Sequence, residues 1–189
     1  MRVLFECLLT LPDNGDAIYV VGDFLEACAR IDVALIKPSW VAQLVDSSTL
    51  RHRISAVLIL WHMAVVDPGN VPLDYIAKLA KPSTEDWYVY SPAIAAAKQL
   101  ALSRRAALEI LLDLASSPEV TDRFTAMHAL RELADVEPAI VWFCASDQIR
   151  QLAKDADEDV AGPAGELLTR LAHSEQARRV PKQYGQFSL

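Results

Sequence analysis

Apolar residues recur along this chain with a long period that is superimposed on a helical one. In the clearest copy, small or apolar residues follow Ala126 after one, three, four, seven and eight positions. The same spacing starts at five reference residues, Val21, Ala56, Ala93, Ala126 and Ala164. These residues are separated by 35, 37, 33 and 38 positions, which is the period of helical-hairpin repeats.

Each repeat is predicted to contain two helices. The first helices are expected over residues 3–11, 39–45, 73–80, 105–115 and 138–153. The second helices, which carry the reference residues, are expected over 17–30, 50–66, 86–102, 120–134 and 158–173. Pro92 and Pro163 precede their reference alanines, so these two helices should start late or kink. Ser83 and Ser117 are the expected N-caps of two second helices.

A single hairpin cannot bury its own apolar face, so such repeats are expected to stack side by side around a continuous core. Alanine at four of the five reference positions permits close helix packing. We predict an all-α fold with one repeat domain over residues 1–174. Its hairpins should span about 1–34, 35–70, 71–103, 104–136 and 137–174, followed by a polar, basic, partly disordered tail over 175–189.

The fourth repeat resembles HEAT-like repeats most clearly. It reads Ala107-Leu108-x-x-Leu111-Leu112-x-x-Ala115, then Arg123-x-x-Ala126-x-x-Ala129-Leu130-x-x-Leu133-Ala134. The second helix of that family often begins Val-Arg, and here Arg53 and Arg123 stand at the Arg position while Val89 and Val160 stand at the Val position. The resemblance covers residues 35–174 well and 1–34 weakly. It implies a right-handed α-solenoid of about five hairpins and does not itself imply a function.

Composition agrees with a helical protein of one short repeat array. Of the 189 residues 52% are hydrophobic and only six are glycine. The net charge of −7 disfavours nucleic-acid binding. Three cysteines without paired spacing argue against a disulfide framework, and the apolar run 54–66 is too short to span a bilayer. The first residues make a poor signal peptide, so we expect a cytoplasmic protein.

The resemblance places the second helices on the inner curve of the array, and we predict that a partner binds there. The predicted partner-binding residues are Leu58, Trp61, His62, Val65, Tyr90, Gln99, His128, Arg131, Glu132 and Arg170. The helix around Trp61 is apolar on nearly every side. Either neighbouring repeats or the tail cover Leu58 and Trp61, or these residues form an interaction patch. Trp87 is expected to pack at a helix junction, whereas Tyr88 and Tyr90 are candidates for ligand contact.

Catalytic and metal-binding motifs are not found in the sequence. His62, His128 and His173 fall at different offsets from their reference residues, so no metal site is predicted. The acidic run 155–159 lacks the glycine and length of a calcium loop and is expected to favour the following helix N-terminus. There is no glycine-rich phosphate loop or G-x-S-x-G motif, and no cofactor is expected.

The leading hypothesis is therefore a non-catalytic scaffold or adaptor that binds another protein. Because the chain is acidic, one alternative is a bacterial immunity or inhibitor protein that masks a basic partner. The apolar N-terminal hairpin is either a capping repeat or a face for pairing with a second copy. Two HEAT-like enzyme classes stay open, the alkylpurine DNA glycosylases and the phycobilin lyases. The former would use Trp61, Trp87 and Tyr90 with Glu132 or Asp135.

Overall fold

The computed structural model describes residues 6, 27–28, 36–174 and 177. Within these residues the fold is all-helical, with no strand. The eight α-helices are α1 Pro38–Val45, α2 Leu50–Val66, α3 Leu73–Leu79, α4 Trp87–Ala101, α5 Arg105–Ala115, α6 Val120–Val136, α7 Pro138–Leu152 and α8 Glu158–His173. A short 3-10 helix, Pro68–Asn70, follows α2. Most of the predicted first hairpin and of the tail lies outside the described residues.

The helix boundaries follow the predicted ones to within two residues, and α2, α5 and α8 match at both ends. The largest difference is the end of α6, which continues to Val136. It then stops before Pro138, which begins α7. Proline fixes φ and lacks an N–H, so it suits the first turn of a helix.

The chain divides into two compact units, residues 1–100 and 101–189. In the first unit α1 contacts α2 and α3, and α2 also contacts α3. In the second unit α5 pairs with α6 and α7 pairs with α8. Its two first helices, α5 and α7, touch each other, and so do its two second helices, α6 and α8. Within the second unit, equivalent helices of successive hairpins therefore lie side by side.

The core contains most of the positions that the repeat spacing marks, together with apolar residues of the first helices such as Leu44, Leu108 and Ile149. In the copies that begin at Ala56, Ala93 and Ala126, all six marked positions are buried. In the last copy Ala164, Leu167 and Leu171 are buried, whereas Gly165, Leu168 and Ala172 are half-buried. The three half-buried positions share one flank of α8, because they are three and four residues apart.

Neither proline-containing helix starts late. Pro92 is the sixth residue of α4 and Pro163 is the sixth residue of α8. The carbonyls that lose a backbone hydrogen bond belong to Tyr88 and Asp159, four residues earlier. Both residues are exposed.

The expected serine caps are wrong in detail. Helix α6 begins at Val120, and its N-cap is Glu119. Ser117 lies before the cap, where its Oγ accepts the Glu119 N–H at 3.2 Å and donates to Asp122 Oδ2 at 2.8 Å. Ser83 lies outside α4, and Asp86 Oδ1 accepts the Tyr88 N–H at 3.0 Å instead.

An arginine near the start of α6 connects two successive hairpins. Arg123 Nε donates to Asp155 Oδ2 at 2.6 Å and Nη2 donates to Oδ1 at 3.0 Å. Its Nη1 also donates to the carbonyls of Ser117 at 3.1 Å and Pro118 at 2.7 Å. The guanidinium thus holds the loop before α6 and the loop before α8 together. We call this arrangement the arginine clamp.

The same clamp recurs in the first unit. Arg53 Nε donates to Glu85 Oε2 at 2.9 Å, and Nη1 donates to the carbonyls of Ser47 and Ser48, both at 3.0 Å. In both units the acid lies 32 residues after its arginine. Ser47 Oγ is hydrogen-bonded to His52 Nδ1 at 2.7 Å, as Ser117 is to Asp122. The two units therefore share a network of side-chain contacts and not only an apolar spacing.

The clamp of the second unit is the more buried of the two, with side-chain exposures of 17% for Arg123 and 8% for Asp155. The hydrogen bond from Arg123 lowers the pKa of Asp155 below its ordinary value, with a further contribution from the backbone N–H of Asp157. The pKa of Arg123 is raised by the same hydrogen bond. Both shifts favour the ionised pair.

We expect Arg123→Gln to lower the free energy of unfolding by about 2–3 kcal/mol, because it leaves Asp155 buried without its charged partner. Arg150→Gln is the matched control, since Arg150 pairs with Asp147 at the surface and should contribute less than about 0.5 kcal/mol. Urea unfolding followed by circular dichroism measures both. Equal losses in the two variants would contradict a structural role for the clamp.

The clamp should also make stability depend on pH. Because the folded-state pKa of Asp155 is lowered, its contribution is present above the unfolded value of about 3.9 and is lost as the pH falls through the folded value. The difference in unfolding free energy between wild type and Asp155→Asn should be constant from about pH 7 to 5 and shrink below about pH 4. Urea unfolding across this range measures it, and a constant difference at acidic pH would refute the expectation.

Candidate functional site

The surface of α2 opposite the core carries a continuous row of apolar residues. Its members are spaced by three or four positions and therefore share one helix face. We call this row the apolar stripe; it comprises Leu50, Ile54, Leu58, Trp61 and Val65. The first four side chains are half-buried and Val65 is 52% exposed. The stripe follows the whole of a 17-residue helix, a length of about 25 Å.

The equivalent face of α6 changes character along its length. The residues at the same offsets from the reference alanine are Val120, Phe124, His128, Arg131 and Asp135. Val120 and Phe124 are 42% and 40% exposed, and the Phe124 ring lies 4.4 Å from the His128 ring. Arg131 and Asp135 replace the equivalents of Trp61 and Val65. The two units thus present an apolar face and a half-apolar, half-charged face.

His62 carries a polar atom that is not satisfied. Its Nδ1 is buried and has no hydrogen-bond partner in the part of the chain that the structure describes. Its ring centre lies 6.3 Å from that of Trp61, in a tilted arrangement. An unpaired buried nitrogen costs free energy in the unbound chain.

The start of α4 exposes two aromatic side chains, Trp87 and Tyr88. Trp87 is 61% exposed and Tyr88 is 66% exposed, so the expected packing of Trp87 at a helix junction is wrong. The Trp87 ring meets the Tyr90 ring edge-on, with centres 5.5 Å apart. Trp87 has the same offset from its reference residue as Leu50 and Val120. In all three helices the residue six positions before the reference residue is therefore apolar and at least partly exposed.

A small pocket lies between α6 and α8. It has a volume of about 110 Å³ and is lined by Arg131, Pro163, Glu166, Leu167 and Arg170. Arg170 Nη1 donates to Asp135 Oδ1 at 2.6 Å, and Nη2 reaches the Arg131 carbonyl at 3.4 Å. These bonds hold the Arg170 side chain across the two helices. The lining therefore combines two guanidinium groups, one carboxylate and two apolar side chains.

The predicted partner-binding residues fall into two groups. Leu58, Trp61, His62 and Val65 lie together on α2, while Tyr90 and Gln99 lie on α4 of the same unit. Tyr90 is half-buried and Gln99 is exposed. In the second unit, Arg131 and Arg170 meet at the pocket, and His128 and Glu132 share the exposed side of α6.

The described cysteines and acidic or histidine side chains give little sign of reactive or metal-binding chemistry. Burial raises the pKa of the Cys144 thiol, which disfavours its reactive thiolate form. Cys28 is buried, as its repeat position predicts. The described residues contain no group of three or more His, Cys, Asp or Glu side chains arranged to hold a metal ion. Across the same residues, every helix is too short or too polar to cross a membrane.

The chain was compared with known protein families, curated proteins and solved structures. No protein-family model, no curated protein and no solved structure matches the chain.

We expect His62→Leu to raise the free energy of unfolding by about 1 kcal/mol, because it removes the unpaired buried nitrogen. His128→Leu is the matched control on the equivalent helix. The His128 ring contacts the exposed Phe124 ring in a tilted arrangement, so its replacement should change stability by less than about 0.5 kcal/mol. Thermal and urea unfolding measure both variants. A loss of stability in His62→Leu would contradict this expectation.

Proposed function

We propose that the chain is a HEAT-like, right-handed α-solenoid that acts as a non-catalytic scaffold or adaptor. Its second helices would form the face that binds a partner protein. The recurrence of the arginine clamp at the same spacing in both units supports this architecture. So does the second unit, where equivalent helices of successive hairpins are adjacent.

The observation that carries the binding proposal is the apolar stripe. Its residues lie on the side of α2 opposite the repeat core, where Leu50, Ile54, Leu58 and Trp61 keep part of their surface accessible and Val65 is 52% exposed. At the equivalent positions of α6, the charged residues Arg131 and Asp135 stand in place of Trp61 and Val65, and α6 has the same length as α2. A row of partly accessible apolar residues on one helix face is typical of surfaces that dock another protein, and tryptophan contributes strongly to such interfaces.

The acidic charge favours one narrower version of this function. A chain with net charge −7 attracts basic partners over distances of about a Debye length. An inhibitor or immunity protein that masks a basic partner would use this attraction to speed association. Its association rate would fall steeply with ionic strength, whereas docking on the apolar stripe alone would depend little on salt.

We expect Val65→Asp to weaken partner binding at least about tenfold, because it places a charge within the apolar stripe. The substitution reproduces Asp135 of the second unit, so the fold should accept it. Val66→Asp is the matched control, since Val66 is equally exposed at 54% but lies on a different side of α2. Quantitative co-purification of the tagged chain from its source cells compares the variants with wild type.

Circular dichroism should first show that both variants keep wild-type helicity and unfolding midpoints. The proposal predicts that Val65→Asp depletes proteins which wild type and Val66→Asp retain. Equal recovery of every co-purifying protein in all three samples would refute binding at the stripe. Recovery of no protein above a tag-only sample would refute the scaffold function itself.

A further inference from the structure

Arg131 is an exposed cation that no acid in the described part of the chain neutralises. The neighbouring guanidinium is different, because Arg170 is paired with Asp135. Arg170 also donates to the Arg131 carbonyl, so it is fixed beside Arg131 at the edge of the pocket. A planar guanidinium with its donors unused is suited to bind a carboxylate, often through two parallel hydrogen bonds.

The charges around the pocket limit what could enter it. Arg131 and Arg170 contribute two positive charges, while Asp135 and Glu166 contribute two negative ones. A phosphate dianion would meet two nearby carboxylates without an excess of positive charge. A single carboxylate needs only the donors of Arg131 and is less strongly repelled. The volume of about 110 Å³ has room for the end of an acidic side chain.

We propose that the pocket between α6 and α8 binds an aspartate or glutamate side chain of the partner protein, with Arg131 as its ion-pair partner. This inference rests on the proposed function and names the chemistry that the second unit would recognise. Pro163 and Leu167 would contact the methylene groups of the acidic side chain. Arg170 would keep its bond to Asp135 and narrow one side of the pocket.

The distance from the exposed apolar end of α6 to Arg131 sets the spacing expected between two contact residues of the partner. Phe124 precedes Arg131 by seven residues, which corresponds to about 10 Å along the helix axis. An extended peptide covers that distance in about three residues. The partner segment should therefore carry an apolar residue for Phe124 and Val120, followed three positions later by the acid. On a partner helix the corresponding spacing would be about seven positions.

Three acetylated and amidated peptides provide the probe: Phe-Ser-Ser-Asp, Phe-Ser-Ser-Asn and Phe-Ser-Ser-Lys. Each is titrated into the full-length, isotope-labelled chain, and NMR follows the backbone amides of residues 124–131 and the side-chain Nε–H of Arg131. We expect the Asp peptide to bind about two- to fivefold more tightly than the Asn peptide, as for an exposed ion pair. The Lys peptide should bind most weakly.

Substitutions distinguish binding at the pocket from general charge attraction. Arg131→Gln should remove the preference for Asp over Asn, whereas Arg150→Gln, a matched change at a paired surface arginine, should keep it. Glu166→Gln should strengthen binding of the Asp peptide, because it removes a like charge from the pocket. Equal binding of the Asp and Asn peptides, or no shift of these signals at about 10 mM peptide, would overturn the proposal. Tightest binding by the Lys peptide would also overturn it and favour a basic partner.

The failure of this inference is distinct from the failure of the scaffold function. If a co-purifying protein is lost from Val65→Asp but fully retained by Arg131→Gln, the partner uses the apolar stripe and the pocket is not a binding site. If Arg131→Gln and Val65→Asp both deplete the same protein while Arg150→Gln does not, the pocket and the stripe serve one partner.

Discussion

The arginine clamp links the local and the tertiary structure of this protein. Arg53 and Arg123 each connect the loop that precedes their own helix to an acid in the next hairpin, 32 residues later. Apolar burial is not directional and would tolerate several hairpin orientations, whereas a guanidinium with fixed donor geometry accepts few. The clamp therefore fixes how one hairpin follows the next, and the burial of the repeat positions then stabilises that arrangement.

This arrangement also determines which helix face is available for function. Once the repeat positions of a second helix are committed to the core, the residues half a turn away remain at its opposite surface. On α2 those residues form the apolar stripe, and on α6 they run from Val120 and Phe124 to Arg131 and Asp135. Equivalent helices of the two units thus carry two different surfaces. The exposed faces of α2 and α6 differ, whereas the clamp is the same in both units. In repeat proteins, exposed residues can change in this way without altering the fold.

The two surfaces support a consistent proposal about recognition. The stripe would supply apolar contact area, and the pocket beside Arg131 would supply a charged contact with a defined spacing from Phe124. Apolar burial provides most of the affinity of such interfaces, while exposed charges mainly contribute specificity. His62 lies beside Trp61, and its buried Nδ1 has no hydrogen-bond partner among the described residues.

Helix positions and core residues could be read from the chain because they depend on local periodicity: a residue three, four, seven or eight places after the reference alanine must lie on the same helix side. Contacts between residues far apart in the chain could not be read in this way. The pairing of Arg123 with Asp155, the unsatisfied Nδ1 of His62, the exposure of Trp87 and the pocket between α6 and α8 each depend on how separate segments pack. Periodicity assigns a residue to a side of its own helix, and only the fold brings particular atoms of distant segments within hydrogen-bonding distance.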